Sequence, residues 1–244
     1  MTLDRRTFDR KTCFRAFFRI SSVLALFVGV RPLFAADDLA SVLAKLDVAS
    51  VKFKSAQADI EWDNVQVAPI EDRDKQAGTV LFQRKDGQLS MALHLKTDNG
   101  KPIQKDMVYA GGLFKLYEPL IKQMQVFKAG SNRAQADAVM TIGFGGSGKD
   151  LQKSWQVSYA GTEQVDGKAA AKLELVPKDE NAKNTFPKVL LWVDTENGIA
   201  LKQQRFDTSG NYAVVSYHNI RVNAPVPSNA FEIKTAAGTQ VVNH

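Results

Sequence analysis

Apolar residues follow two different spacings along the chain, and each spacing predicts a different kind of element. Near residue 40 the spacing is three or four positions, which is typical of a helix with one apolar stripe. Asp37 or Asp38 precedes this stripe and can cap the helix, whose end we expect near residues 49–51. The stripe consists of Leu39, Val42, Leu43 and Leu46.

From residue 53 onward, apolar and polar residues mostly alternate, which predicts half-buried strands. The clearest case is residues 89–96, and Asp86-Gly87, Asn99-Gly100 and Asp166-Gly167 are hairpin-turn dipeptides. Helices are predicted at 133–142 and 149–155, and long loops at 67–75 and 177–187. Strands are predicted at 53–67, 79–85, 89–96, 103–109, 113–117 with a continuation at 124–127, 156–162, 169–176, 189–193, 199–206, 212–222 and 231–233.

About eleven strands joined by short turns favour an antiparallel meander, so the fold class is mainly β with a few helices. A sheet with that many strands tends to curl. Its apolar face needs a cover, so we expect the helices to lie on the concave side. The absence of internal repeats and of a linker predicts a single domain over residues 37–244.

The first 36 residues have the composition of a secretory signal peptide. Basic residues crowd the first nineteen positions, an apolar run follows at 20–30, and small residues precede Asp37. The run is shorter than the ~20 residues that span a bilayer. We therefore expect a cleaved leader and a periplasmic location; an uncleaved anchor is the alternative. Residues 5–8 (RRTF) leave a twin-arginine export route open.

The charge of the chain is concentrated in that leader. The whole sequence carries +6, of which the leader holds +5, leaving 25 basic and 24 acidic residues in the remainder. A nearly neutral mature protein is not expected to bind nucleic acid through charge. One cysteine and three widely spaced histidines predict neither a disulfide nor a His- or Cys-based metal site, and no cofactor is expected.

Residues 143–149 fit the spacing G-x-x-x-x-G-K of a phosphate-binding loop. That loop needs a Ser or Thr hydroxyl after the lysine to hold Mg²⁺, and here Asp150 would place a carboxylate beside the phosphates. We therefore predict no nucleotide binding and interpret the segment as a flexible glycine-rich loop between two helices. No nucleophile, base or carboxylate pair stands out, and His94 and His218 are expected to be surface or structural residues. The chain is not expected to be an enzyme.

Several segments, in order, resemble the periplasmic outer-membrane lipoprotein carrier (LolA-like) family. The opening helix leads into residues 51–60, which resemble the family's passage from helix to first strand. Residues 78–85 (GTVLFQRK) resemble its strand of glycine, apolar residues and a terminal arginine. Residues 109–119 resemble its glycine, apolar, Tyr-x-Pro hairpin, and 193–198, 206–210 and 231–242 complete the series.

The resemblance implies an incomplete antiparallel β-barrel, with helices over an apolar cavity that takes lipoprotein acyl chains. It implies three kinds of partner: acylated lipoproteins, an inner-membrane lipoprotein-releasing transporter and an outer-membrane acceptor. A monomer is expected. Shielding an acyl chain from water is worth ~0.8 kcal/mol per buried CH₂, so a carrier is needed to move it between membranes.

Strand parity, read with the resemblance, predicts the residues that bind lipid. Arg84 is special among them, because its match in the family is a gating arginine that bonds to lid backbone in the closed state. A strand-end arginine at the surface and ordinary core side chains are the alternatives. The predicted set is Leu43 and Leu46 from the first helix, Val80, Phe82, Arg84, Leu89, Met91, Leu93 and Leu95 from two strands, and Val139 and Met140 from the middle helix.

Two other functions stay open at this stage. A lipid- or lipoprotein-sensing envelope regulator could use a related fold, although we expect such a protein to have a further interaction domain. An envelope enzyme with an unrecognised site is the second alternative.

Overall fold

The computed structural model of the chain describes residues 38–130 and 142–244. The predicted leader, nearly all of the predicted helix at 133–142, and the two predicted lipid-binding residues Val139 and Met140 lie outside the described residues.

The first helix, α1, spans Leu39–Lys52 and begins as the sequence predicts. The side chain of Asp38 caps it by accepting a hydrogen bond of 2.7 Å from the Ser41 backbone N–H. Val42 and Leu46 from its apolar stripe are buried in the core. The cap therefore fixes where the helix begins, and the buried stripe packs the helix against the core.

The described residues contain twelve strands, three α-helices and one 3₁₀ turn. The other helices are α2 (Gly148–Ser154) and α3 (Glu180–Thr185), and the 3₁₀ turn is Pro119–Ile121. The strands are β1 (Ser55–Gln66), β2 (Asp72–Lys85), β3 (Gln88–Asp98), β4 (Lys101–Ala110), β5 (Leu113–Glu118), β6 (Gln123–Lys128), β7 (Trp155–Val165), β8 (Lys168–Pro177), β9 (Lys188–Asp194), β10 (Ile199–Phe206), β11 (Tyr212–Val222) and β12 (Gln240–Asn243).

The strands form one sheet in the order β12-β6-β5-β4-β3-β2-β1-β11-β10-β9-β8-β7. Every neighbouring pair is antiparallel except β12 and β6, and β7 and β12 are its two unpaired edges, so the sheet is open. The three predicted hairpin dipeptides have positive φ at both residues, as tight turns require. The prediction of a mainly β, antiparallel, incompletely closed sheet with helices is confirmed.

Three local predictions are wrong. The chain has no strand at 231–233, and the last strand is β12, which pairs in parallel with β6. The expected loop at 67–75 contains the first residues of β2, and the expected loop at 177–187 contains α3. The start of β2 is exposed and polar, so no apolar alternation revealed it; its pairing with β1 holds it in the sheet.

The core lies on one face of the sheet, beneath α1, α2 and residues 142–144. It is built from inward-pointing side chains of strands from both halves of the sheet, together with Val42, Leu46, Ile142, Phe144 and Leu151. A much smaller cluster around Trp192 lies on the other face of the sheet, because its β9 side chains alternate along the strand with those that point into the core. None of the helices within residues 38–130 and 142–244 is long and apolar enough to cross a membrane.

Candidate functional site

A partly open cavity of about 170 Å³, which we name the internal cavity, lies on the core face of the sheet. Four of the predicted lipid-binding residues line it: Val80, Phe82, Met91 and Leu93. Sheet register brings them together, because Phe82 is the cross-strand partner of Met91 and Val80 is that of Leu93. Strand register therefore places these four side chains on one wall of the cavity.

The other two predicted residues of β3 lie close to this wall without lining the cavity. Leu95 is buried in the same core, and Leu89 is half-buried beside it. Leu89 is the cross-strand partner of Arg84. The wall thus continues past the cavity as ordinary packing.

The predicted residues of α1 lie elsewhere. Leu46 lines a separate cavity of about 70 Å³ with Ile142, Leu151 and neighbouring residues. Leu43 packs against Gly148 at the start of α2, where an added Cβ would lie 2.8 Å from the Cβ of Leu43. The structure therefore does not bring Leu43 and Leu46 to the same cavity as the strand residues, because α2 is packed against the helix.

Sequence reasoning missed the remaining residues of the cavity wall. Parity along β1 and β11 could have found some of them, but only the sheet order shows that β11 lies next to β1. The missed residues are Ile60, Trp62, Met107, Phe114, Ile142, Gln203, Arg205, Val215 and Tyr217.

Residues 142–146, which we name the plug segment, enter the interior of the protein. The Phe144 side chain is fully buried; its ring stacks on Phe82 with 3.8 Å between centroids and meets the Tyr217 ring edge-on at 4.9 Å. The Ala200 N–H donates to the Gly143 carbonyl at 2.6 Å, and the Gln203 side chain donates to the Ile142 carbonyl at 2.7 Å. The segment is a loop, as predicted, and it also contributes Phe144 to the core.

Arg84 ties the plug segment to α1. Its guanidinium donates one hydrogen bond of 2.8 Å to the Ser50 carbonyl and another to the Gly145 carbonyl. The guanidinium carbon also lies 5.8 Å from the centre of the Phe53 ring. Both hydrogen-bond acceptors are backbone carbonyls, one on α1 and one in the plug segment.

Gly145 makes the close seating of the plug segment possible. It has φ +71°, and an added Cβ would fall on the Phe53 ring. Replacing Gly145 by alanine should therefore lower the free energy of unfolding by about 1–3 kcal/mol and expose the interior to an apolar dye. Urea denaturation and dye titration measure the two effects.

Gly146 provides the matched control, since an added Cβ there meets nothing within 4 Å and its φ is not in the left-handed region. Gly146→Ala should leave both measurements unchanged. If Gly145→Ala and Gly146→Ala had equal stability and equal dye binding, the close packing of the plug segment would not depend on the missing side chain of Gly145.

The phosphate-loop spacing at 143–149 has a structural explanation. Ser147 and Asp150 form a capping box at the start of α2, so the carboxylate of Asp150 occupies that helix end. A hydrogen bond from Lys153, and others from Ser147, lower the pKa of Asp150 below its usual value. A carboxylate that is charged at neutral pH at this position would repel a phosphate.

Both histidines singled out in the sequence pair with carboxylates. His94 Nδ1 lies 2.7 Å from Asp106 Oδ1, and His218 Nδ1 lies 2.8 Å from Asp166 Oδ2. The buried Nε2 of His218 has no hydrogen-bond partner among the described residues. Within residues 38–130 and 142–244, no group of three or more His, Cys, Asp or Glu side chains is placed to hold a metal ion.

Comparison with known proteins finds similarity mainly in structure. A family model described as "-like: Uncharacterized protein" matches residues 116–219. A search of curated protein sequences finds no match. An uncharacterized conserved protein from Thermus thermophilus is similar with a TM-score of 0.53 and 10% identity, over 84% of this chain and 98% of that one.

Two other solved structures are similar at comparable identity. MucB gives a TM-score of 0.50 and 16% identity over 84% of this chain, which spans only 65% of MucB. A LolA superfamily protein from Nitrosomonas europaea gives 0.39 and 16% identity, over 81% of this chain and 99% of that one. MucB has also been solved in complex with MucA(peri). At the level of fold, the chain is similar to the Thermus thermophilus protein and to MucB, at 10% and 16% identity.

Proposed function

We propose that this protein is a periplasmic carrier that binds the acyl chains of lipoproteins and moves them from the inner to the outer membrane. The observation that carries the proposal is the apolar cavity beneath a plug segment that Arg84 fastens. The LolA-like fold and the leader-like composition of the first 36 residues support it. Residues 37–244 would then act as one carrier domain.

The size of the cavity indicates how the carrier would work. About 170 Å³ is below the ~300–1,000 Å³ of sites that enclose a small-molecule ligand. A whole acyl chain therefore needs additional room, and Phe144 occupies the adjoining interior. Withdrawing Phe144 from between Phe82 and Tyr217 would join its space to the cavity, so the plug segment and the acyl chain compete for one interior.

That competition would favour release as well as binding. Each buried CH₂ contributes ~0.8 kcal/mol to binding. When the acyl chain leaves, Phe144 returns to the core and the two Arg84 hydrogen bonds form again. The free energy of these contacts then offsets part of the cost of release. A receptor at the outer membrane then has to provide only the remaining free energy. The inner-membrane transporter would load the cavity by the reverse exchange.

A charge placed in the cavity tests this function directly. Met107 is half-buried and lines the cavity, so Met107→Asp should fold and should reduce binding of a neutral apolar dye such as N-phenylnaphthylamine by about tenfold or more. Val48→Asp is the matched control, because Val48 is 62% exposed on α1. Dye titration measures both, and mass spectrometry of the purified protein should detect lipid or lipoprotein.

Two results would refute the carrier function. One is repeated purification without any lipid or lipoprotein, combined with no dye binding by the unmodified protein. The other is a turnover activity that a single Asp, His or Ser substitution abolishes, because it would indicate an envelope enzyme.

A lipid-sensing envelope regulator is the second candidate, and the structural similarity to MucB, a protein solved with a bound protein partner, favours it. Cross-linking from the exposed Val51 in intact cells separates the two functions. Recovery of lipoproteins together with a membrane transporter supports the carrier. Recovery of a single signalling protein, without lipoproteins, supports the regulator.

A further inference from the structure

Arg205 places a positive charge in the wall of the otherwise mainly apolar internal cavity. It lies on β10, is half-buried, and its guanidinium carbon lies 5.6 Å from the centre of the Trp62 ring. Burial lowers the pKa of Arg205, yet an arginine remains charged in proteins. A cation in this position is costly unless something pairs with it.

Arg205 differs from the other arginines of the described residues in having no polar partner there. Arg73 bonds to Glu71 and Asp63, Arg84 to two carbonyls, and Arg221 to Gln57. No carboxylate of the described residues lies within ion-pair distance of Arg205, whose guanidinium instead lies over the Trp62 ring. Its hydrogen-bond donors are therefore available to a ligand.

Tyr217 adds a second donor to the same wall. Its side chain is buried and lines the cavity, and its hydroxyl makes no hydrogen bond to any described residue. Burial raises the pKa of Tyr217, so the hydroxyl keeps its proton. The amide of Gln203, by contrast, is already engaged with the Ile142 carbonyl. Arg205 and Tyr217 thus offer donors without an acceptor among the residues that the structure describes.

The position of Arg205 defines where a ligand's polar end would lie. Arg205 and Trp62 line the internal cavity and also a more open groove of about 400 Å³. The two side chains therefore stand at the junction between them. A ligand whose tail fills the inner cavity would have its head at this junction.

The open groove limits the charge of that head. Asp72, Asp74 and Asp207 also line the groove. Asp207 accepts hydrogen bonds from Ser209 and Asn211, and Asp74 accepts one from Asn99, so these carboxylates stay in the groove with local partners. They would repel additional negative charge beyond the junction, which disfavours a polyanionic head group.

We propose that Arg205 and Tyr217 bind the single anionic group, carboxylate or phosphate, of an amphipathic lipid whose hydrocarbon chain enters the internal cavity. This inference rests on the proposed function, because it assumes that the cavity takes hydrocarbon chains. It adds that the site selects among lipids by the charge at the head. Arg84 holds the plug segment in place by hydrogen bonds, whereas Arg205 binds the head group, so the two arginines have separate roles.

Three ligands with the same twelve-carbon chain test this selection: laurate, dodecyl phosphate and dodecanol. Calorimetric titration of the full chain should show laurate or dodecyl phosphate binding at least about tenfold more tightly than dodecanol, since only the anions add the attraction of opposite charges to the hydrogen bonds that Arg205 donates. Arg205→Gln should remove this preference, so that its affinities for the three ligands fall within about twofold of one another. Comparison of the two anions identifies a carboxylate or a phosphate as the preferred group.

Lys202→Gln is the matched control. Lys202 lies on the same strand and also over a tryptophan ring, with its Nζ 4.6 Å from the centre of Trp192, but it lines neither cavity. It should keep the preference for anions. Tyr217→Phe provides a second test if Arg205→Gln does not fold, and it should weaken the preference without abolishing it.

The outcomes distinguish this inference from the proposed function. Equal affinity of wild type for all three ligands, or an unchanged preference in Arg205→Gln, would overturn the role of Arg205 while leaving an apolar carrier intact. Failure of all three ligands and of the neutral dye to bind would overturn both.

Discussion

Replacing Arg84 by leucine should tighten the binding of an apolar chain and slow its release, with the fold retained. The bonds of Arg84 to the Ser50 and Gly145 carbonyls stabilise the seated plug segment. A ligand that displaces the plug segment gains whatever stability the seated state loses. Each hydrogen bond from a charged donor contributes about 1.5–3 kcal/mol, so the loss of both bonds should raise the affinity by about a hundredfold or more.

The measurement is the rate at which N-phenylnaphthylamine, or a purified lipoprotein, leaves the protein. Lys85→Leu is the matched control, because Lys85 is the next residue of β2 and is exposed. Lys85→Leu should release its cargo at the wild-type rate. An unchanged release rate in Arg84→Leu, with circular dichroism showing an intact fold, would show that Arg84 does not control the plug segment.

Replacing Gly78 by alanine should cause the largest loss of stability of any substitution considered, about 3 kcal/mol or more. An added Cβ at Gly78 would fall on the backbone carbonyl of His94, with the Leu95 Cα 2.9 Å away. Backbone atoms cannot rotate aside as a side chain can. Strands β2 and β3 would have to separate at the point where their register shifts.

The midpoint of urea denaturation measures this loss, and Gly146→Ala again serves as the control for adding one methyl group. The midpoint should fall markedly for Gly78→Ala and stay constant for Gly146→Ala. A Gly78→Ala protein as stable as wild type would mean that β2 and β3 approach less closely than the structure shows.

Much of the fold could be predicted from local sequence. Asp38 before an apolar stripe predicted α1, and Asp86-Gly87 with alternating neighbours predicted the β2–β3 hairpin. The missed strand β12 shows the limit of this reasoning. Its short sequence has no distinctive alternation, and it is a strand because β6 offers it a partner. The false strand at 231–233 has the alternation but no partner among the described residues.

The candidate site was predictable to the same extent. Phe82, Met91 and their neighbours follow from parity within one hairpin, whose register the turn sets. Arg205 and Tyr217 could not be found this way, because their position opposite that hairpin depends on β1 lying between β2 and β11. Phe144 was hidden for another reason: glycines around it indicated a loop, and a loop can still deliver one side chain to a core.

The sequence by itself determined the helix start, the hairpin turns and which side chains share a face of each strand. These depend on backbone sterics and capping within a few residues. Only the tertiary structure decided which faces meet, that Arg84 reaches the plug segment, and that Arg205 stands beside Trp62 in an apolar wall with no carboxylate of the described residues to pair with it. Those contacts depend on the order of twelve strands, which is set by packing between residues far apart in the chain and by no pattern within a single segment.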